Sequence, residues 1–170
     1  MEILVAIRTF MEAGGDVLWL IAAATFGMWC LIFERIWYIY TEQARVVGIA
    51  LTKWNSRPER QSWNAKAIRK KEISEVNQKL NTNLTLIKTF ISLLPLLGLL
   101  GTVTGMVQVF EAMTFSGGNA RSMAAGVSAA TIPTMSGMVA TLSGVFANTW
   151  LVAKVASDSQ YLEDSLTMDH

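Results

Sequence analysis

From Ser122 to Ala153 the chain runs 32 residues without a single charge. As a helix that stretch is about 48 Å long, well beyond the roughly 30 Å hydrocarbon core of a bilayer, so part of it must protrude. Two further runs qualify as spans. Val17 to Phe33 gives 17 uncharged residues, extending to Tyr40 if Glu34 and Arg35 lie at the interface, and Thr89 to Phe110 gives 22. With 52% hydrophobic and 16% charged residues, the chain reads as an all-α integral membrane protein with three transmembrane helices, because helices satisfy their own backbone groups in lipid.

The longest run sorts its side chains. At helical spacing Ala130, Thr134, Gly137, Thr141, Gly144 and Asn148 share one face, while Ile132, Met135, Val139, Leu142, Phe146 and Trp150 take the other. A helix that only anchors in lipid has no reason to do this. Small residues let backbones approach, and hydroxyls in hydrocarbon need partners or water, so the face is expected to meet other helices or a hydrated path. The second span is also two-faced. Leu96, Leu100, Val103, Val107 and Phe110 form a bulky side, and Pro95, Gly98, Thr102 and Gly105, with Gly101 beside them, form a small one. A short turn, Ser116-Gly117-Gly118-Asn119, makes the two helices antiparallel neighbours.

Charge sets the expected orientation. Ten of the 14 Lys and Arg residues fall between Thr41 and Lys88, so that segment belongs in the cytoplasm, with the N-terminus outside and the C-terminus inside. The same asymmetry is explained by topology and anionic headgroups, and nucleic acid is not expected as a partner. The start lacks a basic n-region, so no secretory signal is expected. The resulting division is a periplasmic interfacial helix (1–15), a first transmembrane helix (16–40) begun after Gly14-Gly15 with Asp16 as its cap, and a cytoplasmic helical hairpin (41–88). A second transmembrane helix (89–110), a periplasmic turn (111–121), a third transmembrane helix (122–153) and a cytoplasmic tail (154–170) follow. Glu34 and Arg35 are read as an interfacial pair with Arg35 snorkelling to phosphates. Val46, Val47, Ala50, Leu51 and Trp54 continue an apolar stripe until Asn55-Ser56-Arg57-Pro58 stops it. Ile73, Val76, Leu80, Leu84 and Ile87 then repeat at spacings of 3, 4, 4 and 3 without a breaker into the second span.

No soluble-enzyme constellation is present. The only histidine is His170, no second ligand accompanies it or Cys30 for a metal site, and no phosphate loop follows a strand, so no cofactor, metal or catalytic residue is expected. The intramembrane polar groups, among them Thr102, Thr104, Gln108, Thr134, Thr141 and Asn148, do not titrate near neutral pH. For Thr102 and Thr134 two readings stand side by side. Each hydroxyl bonds back to its own helix, or each lines a path used by an ion or a partner's ionisable group. Pro133 frees a carbonyl near residue 129 and is expected to kink the third span, as Pro95 does the second.

Leu94 to Gly105, Leu-Pro-Leu-Leu-Gly-Leu-Leu-Gly-Thr-Val-Thr-Gly, resembles the ExbB/TolQ/MotA family of proton-driven motor subunits, and Gly126 to Gly137 is similar to that family's last-span motif. Three spans match the ExbB and TolQ members. The resemblance implies a homopentamer in the bacterial inner membrane around an ExbD-like single-span partner that carries the membrane Asp. A TonB-like protein would then energise outer-membrane uptake of iron chelates or vitamin B12. It also implies that Thr102 and Thr134 are the pore-facing threonines of a proton path, with Thr141, Gly98, Gly105, Gly137, Gly144 and Asn148 along the same partner-facing surface. Ala129 stands where the family has a Glu, which leaves the acid to the partner. A TolQ-like role in envelope maintenance and a structural scaffold around a partner helix are the alternatives.

Overall fold

A computed structural model describes residues 1–56, 62–116 and 120–166 of the chain. These form five helices and no strand: α1 (Glu2–Thr41), α2 (Gln43–Asn55), α3 (Trp63–Asn81), α4 (Leu84–Ser116) and α5 (Ala120–Ser165). Three helical stretches, Gly14–Thr41, Trp63–Thr114 and Met123–Ser165, are long and apolar enough to cross a membrane. The all-α membrane fold expected from the uncharged runs is therefore the fold adopted.

The helices overrun the limits drawn from charge. α4 continues through Glu111 to Ser116 and α5 begins at Ala120, so the turn expected over 111–121 is helical except at 117–119, which lie outside the described residues. The tail expected from residue 154 is helical to Ser165, and His170 lies outside the described residues. Polar or charged residues mark where a helix leaves lipid, and Glu, Ala, Met and Lys are good helix formers that do not end it. α2 does end at Asn55, capped by Ser56; Arg57 and Pro58 of the expected stop lie outside the described residues. α3 starts on Ser62, whose side chain accepts from the Ala65 N–H at 3.2 Å. Both internal prolines, Pro95 and Pro133, sit inside uninterrupted helices.

At Gly14-Gly15 the expected break is a kink inside α1. Gly15 has φ 65° and ψ −165°, a conformation open essentially to glycine alone. A second break was not anticipated. The apolar repeat passes unbroken from α3 into α4, and Val76, Leu80, Leu84 and Ile87 are all buried, yet the helix stops at Thr82–Asn83, where Asn83 has φ 65°. Asparagine is among the few side chains that tolerate this left-handed position, and the geometry is that of a helix C-terminal cap.

The chain divides into two compact units, each with its own interior. The first, Met1–Trp29 with Lys88–Phe146, buries Leu18, Ile21, Met28, Leu94 and Ala130. The second, Cys30–Ile87 with Ala147–His170, buries Ile32, Trp54, Leu80, Ile87, Leu151 and Leu162. Arg35 belongs to this second interior. Rather than snorkelling, it is 2% exposed, donates from Nη2 to the carbonyls of Lys79 and Leu80, and lies over the Tyr38 ring at 4.7 Å. The carbonyls that end α3 lack the N–H donors a continuing helix would supply; that of Lys79 takes the Thr82 N–H at 3.4 Å, and the buried guanidinium adds charge-assisted bonds at the end the helix dipole makes negative. Across the same unit Arg69 donates to the carbonyls of Glu163 and Leu166, each at 2.7 Å, and Ser159 donates to Asn77 Oδ1 at 2.6 Å.

Candidate functional site

Within the first unit the small faces of α4 and α5 close directly on each other. A Cβ placed on Gly137 would sit 2.7 Å from the Leu94 carbonyl oxygen, and one on Gly101 would sit 2.4 Å from Pro133 Cβ. Gly98 backs onto Thr134 and Gly105 onto Ala130 in the same way, while Gly144 faces Met28 of α1. Contacts this short let two helix backbones pack with nothing between them, the arrangement small residues permit in membranes. The outward faces are the bulky ones expected: Leu96, Val103 and Phe110 on α4, and Met135, Val139, Leu142 and Phe146 on α5, are exposed.

The threonines do not behave alike. Thr102 Oγ1 donates to the Leu99 carbonyl of its own helix at 2.7 Å, the back-bonded state. Thr134 Oγ1 reaches across the seam and donates to the Gly98 carbonyl at 2.8 Å. Thr141 Oγ1 donates to Gly137 at 2.8 Å and lies 3.5 Å from the Ile91 carbonyl. Ile91 is four residues before Pro95, so its carbonyl lacks the helical N–H that any other residue at 95 would supply. Asn148 is not brought to the seam. It falls in the second unit, half-buried, and among the described residues its Oδ1 has no hydrogen-bond partner.

A cavity of about 570 Å³ adjoins the seam, lined among others by Glu12, Asp16, Thr104, Gln108, Ala129 and Pro133. Glu12 is paired to Arg8 at 2.8 Å. Thr104 and Gln108 stand one turn apart on α4, and Glu12 and Asp16 flank the bend of α1 at Gly15, which also lines the cavity. Ala129 lines the same space, whose acidic and amide side chains come from α1 and α4.

Among the described residues the chain offers three membrane-length helical stretches and a threonine-bearing small-residue seam. The family model described as MotA/TolQ/ExbB proton channel family matches residues 39–164. The chain belongs to that family. It is 36% identical over 80 residues to a putative biopolymer transport protein, ExbB-like 1, of Synechocystis sp., a match covering 45% of this chain and 32% of that protein. The matched stretch therefore spans about a third of the relative's length. No solved structure matches the chain.

Proposed function

We propose that the chain is the proton-channel subunit of an inner-membrane motor of the TonB–ExbB–ExbD type, using the proton motive force to energise outer-membrane transport of iron chelates or vitamin B12. In this reading several copies, five by the resemblance, surround an ExbD-like single-span protein whose Asp carries the proton. The N-terminus lies in the periplasm and the C-terminus in the cytoplasm, supported by the ten basic residues between Thr41 and Lys88.

The observation that carries the reading is the hydrogen bond from Thr134 to the Gly98 carbonyl. With its proton committed to that carbonyl, the half-buried hydroxyl offers its remaining lone pairs as acceptors, and an accepting oxygen suits the O–H of a protonated carboxyl. Thr102 and Thr141, already bonded through their protons, are acceptors in the same sense. Gly98, Gly105, Gly137 and Gly144 set how close the helices stand, Pro95 and Pro133 free carbonyls beside them, and Asn148 adds an unpaired acceptor further along α5.

The test is proton flux in liposomes carrying the chain with its single-span partner. Thr134→Val is expected to assemble and to lose flux; full flux in that variant sinks the role of Thr134. One observation favours a scaffold reading: the seam glycines are taken up in packing within this chain. A scaffold gives no flux above background even with the unaltered pair.

A further inference from the structure

The joint between α3 and α4 is met by two side chains from far upstream, Glu34 and Arg35. A continuous α-helix through this point would have the N–H of Asn83 donate to the Lys79 carbonyl and that of Leu84 to the Leu80 carbonyl, four residues back in each case. Those are the two carbonyls to which Arg35 Nη2 donates, that of Lys79 also accepting the Thr82 N–H at 3.4 Å. The neighbouring Glu34 Oε2 accepts from the side-chain amide of Asn83 at 2.9 Å, and Asn83 is the one non-glycine described residue with a positive φ. Arg35 is almost fully buried there, so its guanidinium has no alternative partner in water, and its Nε makes no hydrogen bond among the described residues. Meanwhile the sequence is written for continuity. The buried positions Val76, Leu80, Leu84 and Ile87 keep helical register across the break, and neither glycine nor proline interrupts residues 73–94.

We propose that Glu34-Arg35 is a wedge that keeps α3 and α4 apart, and that withdrawing it joins them into one helix from Trp63 to Ser116. The two states exchange the same acceptors. In the wedged state the Lys79 and Leu80 carbonyls take charge-assisted bonds from Arg35; in the joined state they take the backbone N–H groups of Asn83 and Leu84, and Asn83 returns to an ordinary helical φ. With the wedge in place α3 and α4 are two helices that meet at Asn83, and with it out they are one.

The experiment is residue-resolved hydrogen exchange on the purified full chain in lipid nanodiscs. Arg35→Met keeps a long apolar side chain in the buried slot while removing the donors. The expected result is about tenfold slower exchange at the amides of Asn83 and Leu84, newly bonded within a helix. Asn83→Ala is expected to move the same two amides in the same direction without touching the buried site, because alanine resists φ near 65°. Adding Asn83→Gly to Arg35→Met is expected to restore fast exchange, since glycine accepts the open geometry. Unchanged exchange at both amides in Arg35→Met and Asn83→Ala overturns the proposal. So does faster exchange spread along α3 in both, which would make Arg35 a simple staple of the fold.

Discussion

Thr134 on α5 and Gly98 on α4 are joined by a hydroxyl-to-carbonyl hydrogen bond of 2.8 Å across a seam that has no side chain between them. The bond exists because Gly98 has no Cβ: an atom there would lie 3.0 Å from Thr134 Cα. Thr134→Val keeps the shape and removes the donor, at a cost of about 1 kcal/mol for one net hydrogen bond. Thr134→Ser keeps the donor and is expected to retain proton flux where valine loses it. Equal flux from the serine and valine variants would show that the hydroxyl plays no part in conduction.

Gly137 tests the seam itself. Its missing Cβ would come within 2.7 Å of the Leu94 carbonyl and 3.4 Å of Gly98 Cα, both backbone atoms that cannot rotate aside. Gly137→Ala is expected to destabilise the chain by about 1–3 kcal/mol, the usual cost of overpacking. Gly48, in α2, has nothing within 4 Å of its would-be Cβ, so Gly48→Ala is expected to stabilise by roughly 0.5–1 kcal/mol through helix propensity. Thermal unfolding in detergent reads both, and a loss of stability at Gly48 would refute the steric account.

What the sequence made visible follows from which forces are local. The sorting of Ala130, Gly137 and Gly144 away from Met135, Val139 and Phe146 is a matter of helical spacing, and burial follows it. The buried stripe Val76-Leu80-Leu84-Ile87 was legible for the same reason. The break inside that stripe was not, because its causes, Glu34 and Arg35, lie far upstream and act through contacts that spacing cannot reveal. Thr102 and Thr134 look equivalent in sequence. Only the side chain opposite Gly98 finds a bare carbonyl on another helix, and the other returns its proton to Leu99. Glu12 and Asp16 line the cavity on either side of the bend at Gly15, whose direction no composition rule specifies.

Gly15 separates conformational strain from crowding. A Cβ there would meet nothing within 4 Å, but φ 65° with ψ −165° is a region other residues avoid. Gly15→Ala is expected to cost about 1–3 kcal/mol despite the empty space. Straightening of α1 is the expected escape, which would rearrange the cavity that Glu12, Gly15, Asp16 and Gln108 line. Accessibility of a cysteine at position 108 to a water-soluble maleimide follows this directly. Unchanged labelling and unchanged stability would mean that the bend is held by something other than the glycine.

Arg69 closes the end of α5 as Arg35 closes the end of α3. Its Nε donates to the Leu166 carbonyl and its guanidinium to that of Glu163, both at 2.7 Å, at the terminus where the helix dipole favours a cation. Hydrogen bonds to charged groups contribute about 1.5–3 kcal/mol when shielded, and partial exposure here brings the pair down to about 1 kcal/mol. Arg69→Met is therefore expected to leave the fold intact and to fray the last turn of α5. Exchange at the amides of Leu162 to Leu166 should rise several-fold, roughly in proportion to that loss. Arg69→Lys restores the charge but cannot span both carbonyls from one planar group, so it is expected to recover only part of the protection. Full recovery with lysine would assign the effect to charge alone, and no fraying with methionine would assign the end of α5 to the packing of Leu162 and Leu166.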